Sequence, residues 1–248
     1  MTGSKKISSI TRLATKGILP AVFLLILLSS VEADPGIDSS REFLNTWMDQ
    51  QANIKTWSAD VVQIRNLKSL VRPLKSRGQV WFLQPNRFRW QLGDPPRTIA
   101  VRKDDELLII YPRLKQIERF AAGEDIDPAW KQVLALLEVG FPSDSDTFFA
   151  RYELVRTTRL KKSWKFELRP AAEIARKLLD RVMVQISTRD FTLLATELVF
   201  PDGSTMKNEF IHRQLNPDLD EGLFDFQIEE GYTVVNPLQK NKEGRSED

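Results

Sequence analysis

The chain has 248 residues with 13 Pro, 11 Gly, one His and no Cys, and 42% of it is hydrophobic and 28% charged. That is the material of a globular domain with a sizeable core, and it excludes a multi-span membrane protein. The absence of cysteine removes disulfides, thiol catalysis, zinc ribbons, iron–sulfur clusters and lipid-modified cysteine, and the single His212 excludes a multi-histidine metal site.

Residues 1–17 carry Lys5, Lys6, Arg12 and Lys16 and no acid, and an apolar run from Ile18 to Leu28 follows, interrupted by Pro20. Ser29, Ser30 and Val31-Glu32-Ala33 come next. A cationic start, a short apolar stretch and small or apolar residues before a cut predict a secretory signal peptide over 1–33, cleaved after Ala33, with an uncleaved N-terminal anchor as the alternative. The mature chain is then expected to be exported, without a lipid anchor. Cleavage leaves 32 Lys+Arg against 33 Asp+Glu. That balance gives no overall electrostatic case for nucleic acid or for an anionic membrane.

Asp34 to Asp38 reads as a loose leader. Ser39 with Glu42 forms a capping-box pattern, and Phe43, Leu44, Trp47 and Met48 fall near one helical face, which predicts an amphipathic helix over 40–53. The period then changes. Segments 58–68, 78–84, 87–92, 97–102, 106–111 and 115–120 read as consecutive strands with short connections, hence an antiparallel meander. Asp127 and Pro128 predict the start of a helix over 128–138, with Val133, Leu134 and Leu137 in its apolar stripe. A short helix is expected at 144–149 and strands at 151–158 and 162–169. Residues 171–180 are either a short helix or a disordered insertion. Strands at 181–188, 192–200 and 204–212 follow, then a turn with a short helix at 216–223 and a last strand at 231–236. A charged tail at 239–248 is expected to be disordered. About ten strands and two or three helices predict an α+β fold: an incomplete antiparallel β-barrel, a strongly curved sheet whose concave face is covered by helices.

Nothing in the sequence argues for an enzyme. His212 lies late in a strand, no nucleophile elbow accompanies it, and Asp104-Asp105 and Asp144–Asp146 fall in turns. No phosphate-cradling glycine loop occurs, and no cofactor or metal is expected. The informative feature is the apolar stock on the meander. Val80, Phe82, Phe88, Trp90, Leu92, Ile99 and Val101 are expected on one face of three adjacent strands. They are either plain core beneath the helices or the lining of a space that holds a hydrophobic ligand. Periodicity alone does not choose between these.

At 78–92 the string G-Q-V-W-F-L-Q-P-N-R-F-R-W-Q-L resembles the signature of the periplasmic outer-membrane lipoprotein carrier (LolA-like) family. The likeness continues through Ile99 and Val101, the stretch from Leu107 to Pro112 before Lys115-Gln116, and the hairpin Pro201-Asp202-Gly203-Ser204. It closes with Phe224 or Phe226 and the end Gly231-Tyr232-Thr233-Val234-Val235. The resemblance implies a monomeric carrier that keeps the acyl chains of lipoproteins in a hydrophobic cavity. Its implied partners are an inner-membrane lipoprotein-releasing transporter and an outer-membrane receptor or membrane, with no nucleic acid. It places Val80, Phe82, Phe88, Trp90, Leu92, Ile99 and Val101 on the sheet side of the cavity. Leu44, Trp47, Met48, Val133, Leu134 and Leu137 fall on the helical side. Many members carry an arginine just before the Pro-Asn, as a lid latch. Here Gln84 holds that place and keeps N–H donors without the charge. Two other readings stay open: a carrier of a non-protein lipid or glycolipid on the same fold, and a non-enzymatic signalling or interaction domain with a packed core.

Overall fold

The computed structural model describes residues 35–104, 106–121, 139–140, 142 and 144–236, all within one compact unit, Asp34–Asp248. Helix α1 is Pro35–Gln51. The meander follows as β1 (Thr56–Asn66), β2 (Leu74–Leu83), β3 (Arg87–Leu92), β4 (Thr98–Lys103), β5 (Glu106–Tyr111) and β6 (Gln116–Ala121). After helix α2 (Ser145–Arg151) come β7 (Tyr152–Arg159), β8 (Ser163–Pro170), the one-turn helix α3 (Glu173–Arg176), β9 (Arg181–Ser187), β10 (Leu193–Val199) and β11 (Thr205–Leu215). A 3-10 turn at Glu221–Phe224 and strand β12 (Thr233–Val235) complete the order. The expected helix over 128–138 and the tail at 239–248 lie outside the described residues.

All these strands join one twelve-stranded sheet in the order β12-β6-β5-β4-β3-β2-β1-β11-β10-β9-β8-β7. Among the described residues the strands number twelve, against about ten expected. Every neighbouring pair is antiparallel except β12 on β6. The order has two ends, so the sheet is an incomplete barrel. β1 and β11, the first and last long strands, pair at its centre.

Helix α1 starts at Pro35 and not at Ser40. Pro35 occupies the first turn, where its fixed φ suits a helix and its missing N–H is no loss. Ser39 is thus interior to the helix, and Ser39 with Glu42 is not an N-terminal capping box. Leu44, Trp47 and Met48 are buried in the main core, which also holds Trp164, Phe166, Leu168 and Val184. Phe43 stacks on Phe191 with ring centroids 4.8 Å apart, and Trp47 meets Phe148 of α2 edge-on at 6.4 Å. The connection at 171–180 is ordered: Arg176 Nη1 donates to the carbonyls of Pro170 and Ala171 at 3.0 and 2.7 Å, and Leu179 is buried.

The register decides which residues face inward. Phe82 pairs with Phe88 and Val80 with Trp90, so these four share the concave face. Opposite Phe88 and Trp90 on β4, however, stand Arg102 and Ala100. Ile99 and Val101 pair with Gln91 and Arg89 and point to the convex side. This corrects the expectation that they face the same way as Phe88 and Trp90. The apolar alternation of β4 was sound, but the connection through Gly93–Arg97 sets its phase, and a one-residue difference there turns every side chain over. Ile99 and Val101 are buried with Leu108, Ile110 and Ile117 in a separate cluster, under Phe226 and Tyr232. The segment after β11 thus straps the convex face, held by Arg87–Glu221 at 2.9 Å, Arg89 Nη1 to the carbonyl of Leu223 at 3.2 Å, and Lys103–Asp225.

Gly78, first residue of the 78–92 string, lies directly against the β3 backbone. A Cβ built there would sit 1.8 Å from the Gln91 carbonyl oxygen. No side chain fits without moving the strand.

Candidate functional site

A cavity of about 500 Å³ lies on the concave face. β1, β2 and β3 contribute Trp57, Val80, Phe82, Phe88 and Trp90, and the turn between β2 and β3 adds Pro85 and Asn86. From the other half of the sheet come Leu193, Thr196, Leu198, Phe200, Met206, Asn208 and Phe210. Val139, Gly140 and Pro142, with Thr147, Phe148, Arg151 and Tyr152, form the remaining wall. The volume is within the range of small-molecule sites, roughly 300–1,000 Å³. The lining is mostly aromatic and aliphatic, so its main offer to a ligand is removal of apolar surface from water.

The aromatic floor is built by curvature. Trp57 and Phe210 meet edge to face at 5.2 Å across the β1–β11 pair, and Trp90 reaches Phe210 at 5.9 Å. One polar stripe crosses this floor. Gln63 Nε2 donates to Asn208 Oδ1 at 3.1 Å, and Asn208 Nδ2 donates to Thr196 Oγ1 at 3.3 Å. Asn208 and Thr196 are both buried, and the mutual hydrogen bonds offset their desolvation. The buried indole N–H of Trp90 has no acceptor among the described residues.

Of the residues named from the sequence, Val80, Phe82, Phe88 and Trp90 line the cavity together. Leu92 shares their face but packs at the edge of the main core. Ile99 and Val101 lie behind the sheet. Leu44, Trp47 and Met48 are buried in the core between α1 and the far half of the sheet and do not line the cavity. Val133, Leu134 and Leu137 fall outside the described residues. Gln84 is exposed at the seam between β2 and α1, where its Nε2 is 3.5 Å from the carbonyl of Gln51 in the last helical turn. Sequence reasoning missed Trp57, Phe210, Thr196, Asn208, Leu198 and Phe148. The alternation Met206, Asn208, Phe210 was visible in β11, but its place beside β1 was not.

His212 is far from this chemistry. On the convex face its Nδ1 lies 2.7 Å from Asp60 Oδ2, at a bulge where Ala59 is opposed by two residues of β11 and His212 has φ 51°. The hydrogen bond from His212 is the main influence holding the Asp60 carboxyl below its ordinary pKa. Asp144, one of the paired turn acids, caps α2: its Oδ1 accepts from Thr147 N at 2.7 Å. Among the described residues no group of three or more His, Asp and Glu is placed to hold a metal.

Residues 52–227, from the end of α1 through β11 and the convex strap, match the profile of the outer membrane lipoprotein carrier protein LolA family. The chain belongs to the LolA family. No curated protein matches it in sequence. Among solved structures, an uncharacterized conserved protein from Thermus thermophilus aligns with TM-score 0.48 at 14% identity, over 80% of this chain and 99% of its own. The LolA superfamily protein NE2245 from Nitrosomonas europaea aligns with TM-score 0.37 at 11% identity, over 73% of this chain and 96% of its own. The MucA/MucB complex of Pseudomonas aeruginosa gives 0.42 at 13% identity, over 76% of this chain and 61% of that one. The LolA assignment rests on the family match, and the resemblance carried by 78–92 lies within it.

Proposed function

We propose that this LolA-family chain is a periplasmic carrier: it shelters the acyl chains of lipoproteins in the concave cavity and moves them from inner to outer membrane. The observation that supports this most is the cavity itself, floored by Trp57, Val80, Phe82, Phe88, Trp90 and Phe210 in a member of a carrier family. Each buried methylene is worth roughly 0.8 kcal/mol, so a sixteen-carbon chain carries on the order of 12 kcal/mol of transfer free energy. Spontaneous release of such a chain into water is correspondingly slow, and a soluble protein that keeps the tail dry removes that barrier. Loading falls to a releasing transporter in the inner membrane and unloading to a receptor or the outer membrane. Residues 1–33 serve as the export signal in this reading.

Envelope pull-down with the chain beginning at Asp34 tests the proposal. Acylated polypeptide should co-purify, and Phe88→Glu or Trp90→Glu should abolish this while the sheet stays folded. Absence of any acylated polypeptide, or its retention by both variants, would sink the reading.

The polar part of the lining favours one second reading. Arg102, Arg151, Thr147, Thr196 and Asn208 give the cavity hydrogen-bonding and cationic groups that a bare hydrocarbon chain does not need. A lipid with an acidic or hydroxylated head would use them. Mass spectrometry of the extracted ligand separates such a lipid from an acylated polypeptide.

A further inference from the structure

We infer that the β1–β2 hairpin is a membrane-docking finger that seats on anionic phospholipid. β2, at ten residues, is longer than its neighbour β3, at six. β2 pairs with β3 from Gly78 to Leu83 and the Arg77 carbonyl accepts from Gly93 N at 2.7 Å, so Leu74 to Ser76 and the connecting turn extend beyond β3, while β1 stays paired with β11 as far as Asn66 on the other side. Three residues at about 3.4 Å each make an overhang of roughly 10 Å past β3 before the turn is counted.

The end of this finger is unlike an ordinary solvated turn. Val71 is fully exposed at 102% relative accessibility, and Leu70 and Leu74 are 45% and 47% exposed. Around them stand Arg65, Lys68, Arg72, Lys75 and Arg77, all exposed, and the sequence has no Asp or Glu from 61 to 93. Asp202, across the β10–β11 turn, faces this group: its carboxyl is held low chiefly by hydrogen bonds from Ser204 and to a smaller degree by Lys68. The near-zero net charge of the mature chain therefore hides a local excess of cations.

Aliphatic side chains at a tip with cations behind them match a lipid surface in both respects. The apolar groups enter the acyl boundary while Lys and Arg stay at the headgroups. Nucleic acid would use the cations but offers nothing to Leu70 and Val71, and the tip has no aromatic ring on which a base could stack.

The finger is also joined to the cavity. The Lys68 backbone N–H donates to Ser204 Oγ at 3.2 Å, and the turn holding Ser204 is flanked by Phe200 and Met206, which line one end of the cavity. Docking by the hairpin brings that end to the membrane surface. The inference rests on the exposed tip and not on the identity of any cargo.

The test is co-sedimentation of the chain beginning at Asp34 with vesicles of phosphatidylethanolamine and phosphatidylglycerol, and separately with phosphatidylcholine vesicles. Binding is expected to the anionic vesicles and to fall with added salt. Replacing two cations, in the pair Arg72→Gln and Lys75→Gln, should weaken it about thirty-fold, and Val71→Asp about tenfold. These exposed positions leave the thermal melt unchanged, and both variants should keep acylated polypeptide in the envelope pull-down, which separates this result from the carrier reading. Equal partition onto both vesicle types, unaltered binding by the variants, or retention on immobilised nucleic acid but not on vesicles would overturn the inference.

Discussion

The rings of Trp90 and Phe210 meet edge to face, centroids 5.9 Å apart at an interplanar angle of 69°, although β3 and β11 are separated in the sheet by β2 and β1. Strands lie about 4.8 Å apart, so a flat sheet would hold these two positions roughly 14 Å from one another. Only strong curvature across β3-β2-β1-β11 brings the rings together, and that curvature makes the cavity.

Phe210 is 4% exposed and belongs to the main core, whereas Trp90 is half-buried at its margin. Phe210→Ala should therefore destabilise by about 3–5 kcal/mol. Trp90→Ala should cost clearly less and chiefly lower affinity for a fluorescent hydrophobic probe. Denaturant unfolding of both single variants and the double variant should give a coupling of about 0.5–1.5 kcal/mol. Additive losses would mean that the edge-to-face contact contributes nothing.

The opposite dissociation is expected behind the sheet. Ile99 is buried under the convex strap, so Ile99→Ala should cost about 2–5 kcal/mol and leave probe binding to the folded protein unchanged. A drop in probe affinity without loss of stability would place Ile99 in the cavity after all.

Gly78→Ala isolates close strand approach from cavity chemistry. Its Cβ would collide with backbone and not with a movable side chain. The sheet must shift, at a cost of at least about 1–3 kcal/mol. A melting temperature equal to that of the parent would contradict the register of β2 on β3.

Asp60 and His212 predict a pH dependence. A carboxyl whose folded pKa lies below its ordinary value stabilises the folded state above the unfolded pKa, near 3.9, and that stabilisation is lost as pH falls through the folded pKa. The pair is exposed on the surface, so its contribution at neutral pH is modest, below about 1 kcal/mol. Asp60→Asn should be slightly less stable than the parent at neutral pH, and the difference should vanish in acid below the Asp60 titration. A difference that persists unchanged into acid would remove the carboxylate from the account.

Local pattern carried much of this fold. The bounds of β3 follow directly from alternation between turn residues and those of β5 from the apolar run Leu107 to Ile110, and the cavity residues of β2 and β3 follow from one short turn that fixes their register. What escaped the sequence was long-range or phase-dependent. Trp57 and Phe210 become neighbours only through the β1–β11 pairing, between segments some hundred and fifty residues apart. Ile99 and Val101 carried the right burial but the wrong side, because the five-residue connection before β4 sets a phase that composition does not encode. Leu44, Trp47 and Met48 showed an apolar helical face, and periodicity did not say which half of the sheet that face would meet. The cationic finger was masked by averaging: its charges are plain in the sequence, but only the pairing pattern shows that they project past β3.

The carrier account is tested most directly by native mass spectrometry of the chain purified from the cell envelope without detergent. The account predicts a complex heavier than the polypeptide by one acylated polypeptide, lost on Trp90→Glu. A protein of bare polypeptide mass, or one whose added mass resolves entirely into phospholipid, would contradict it.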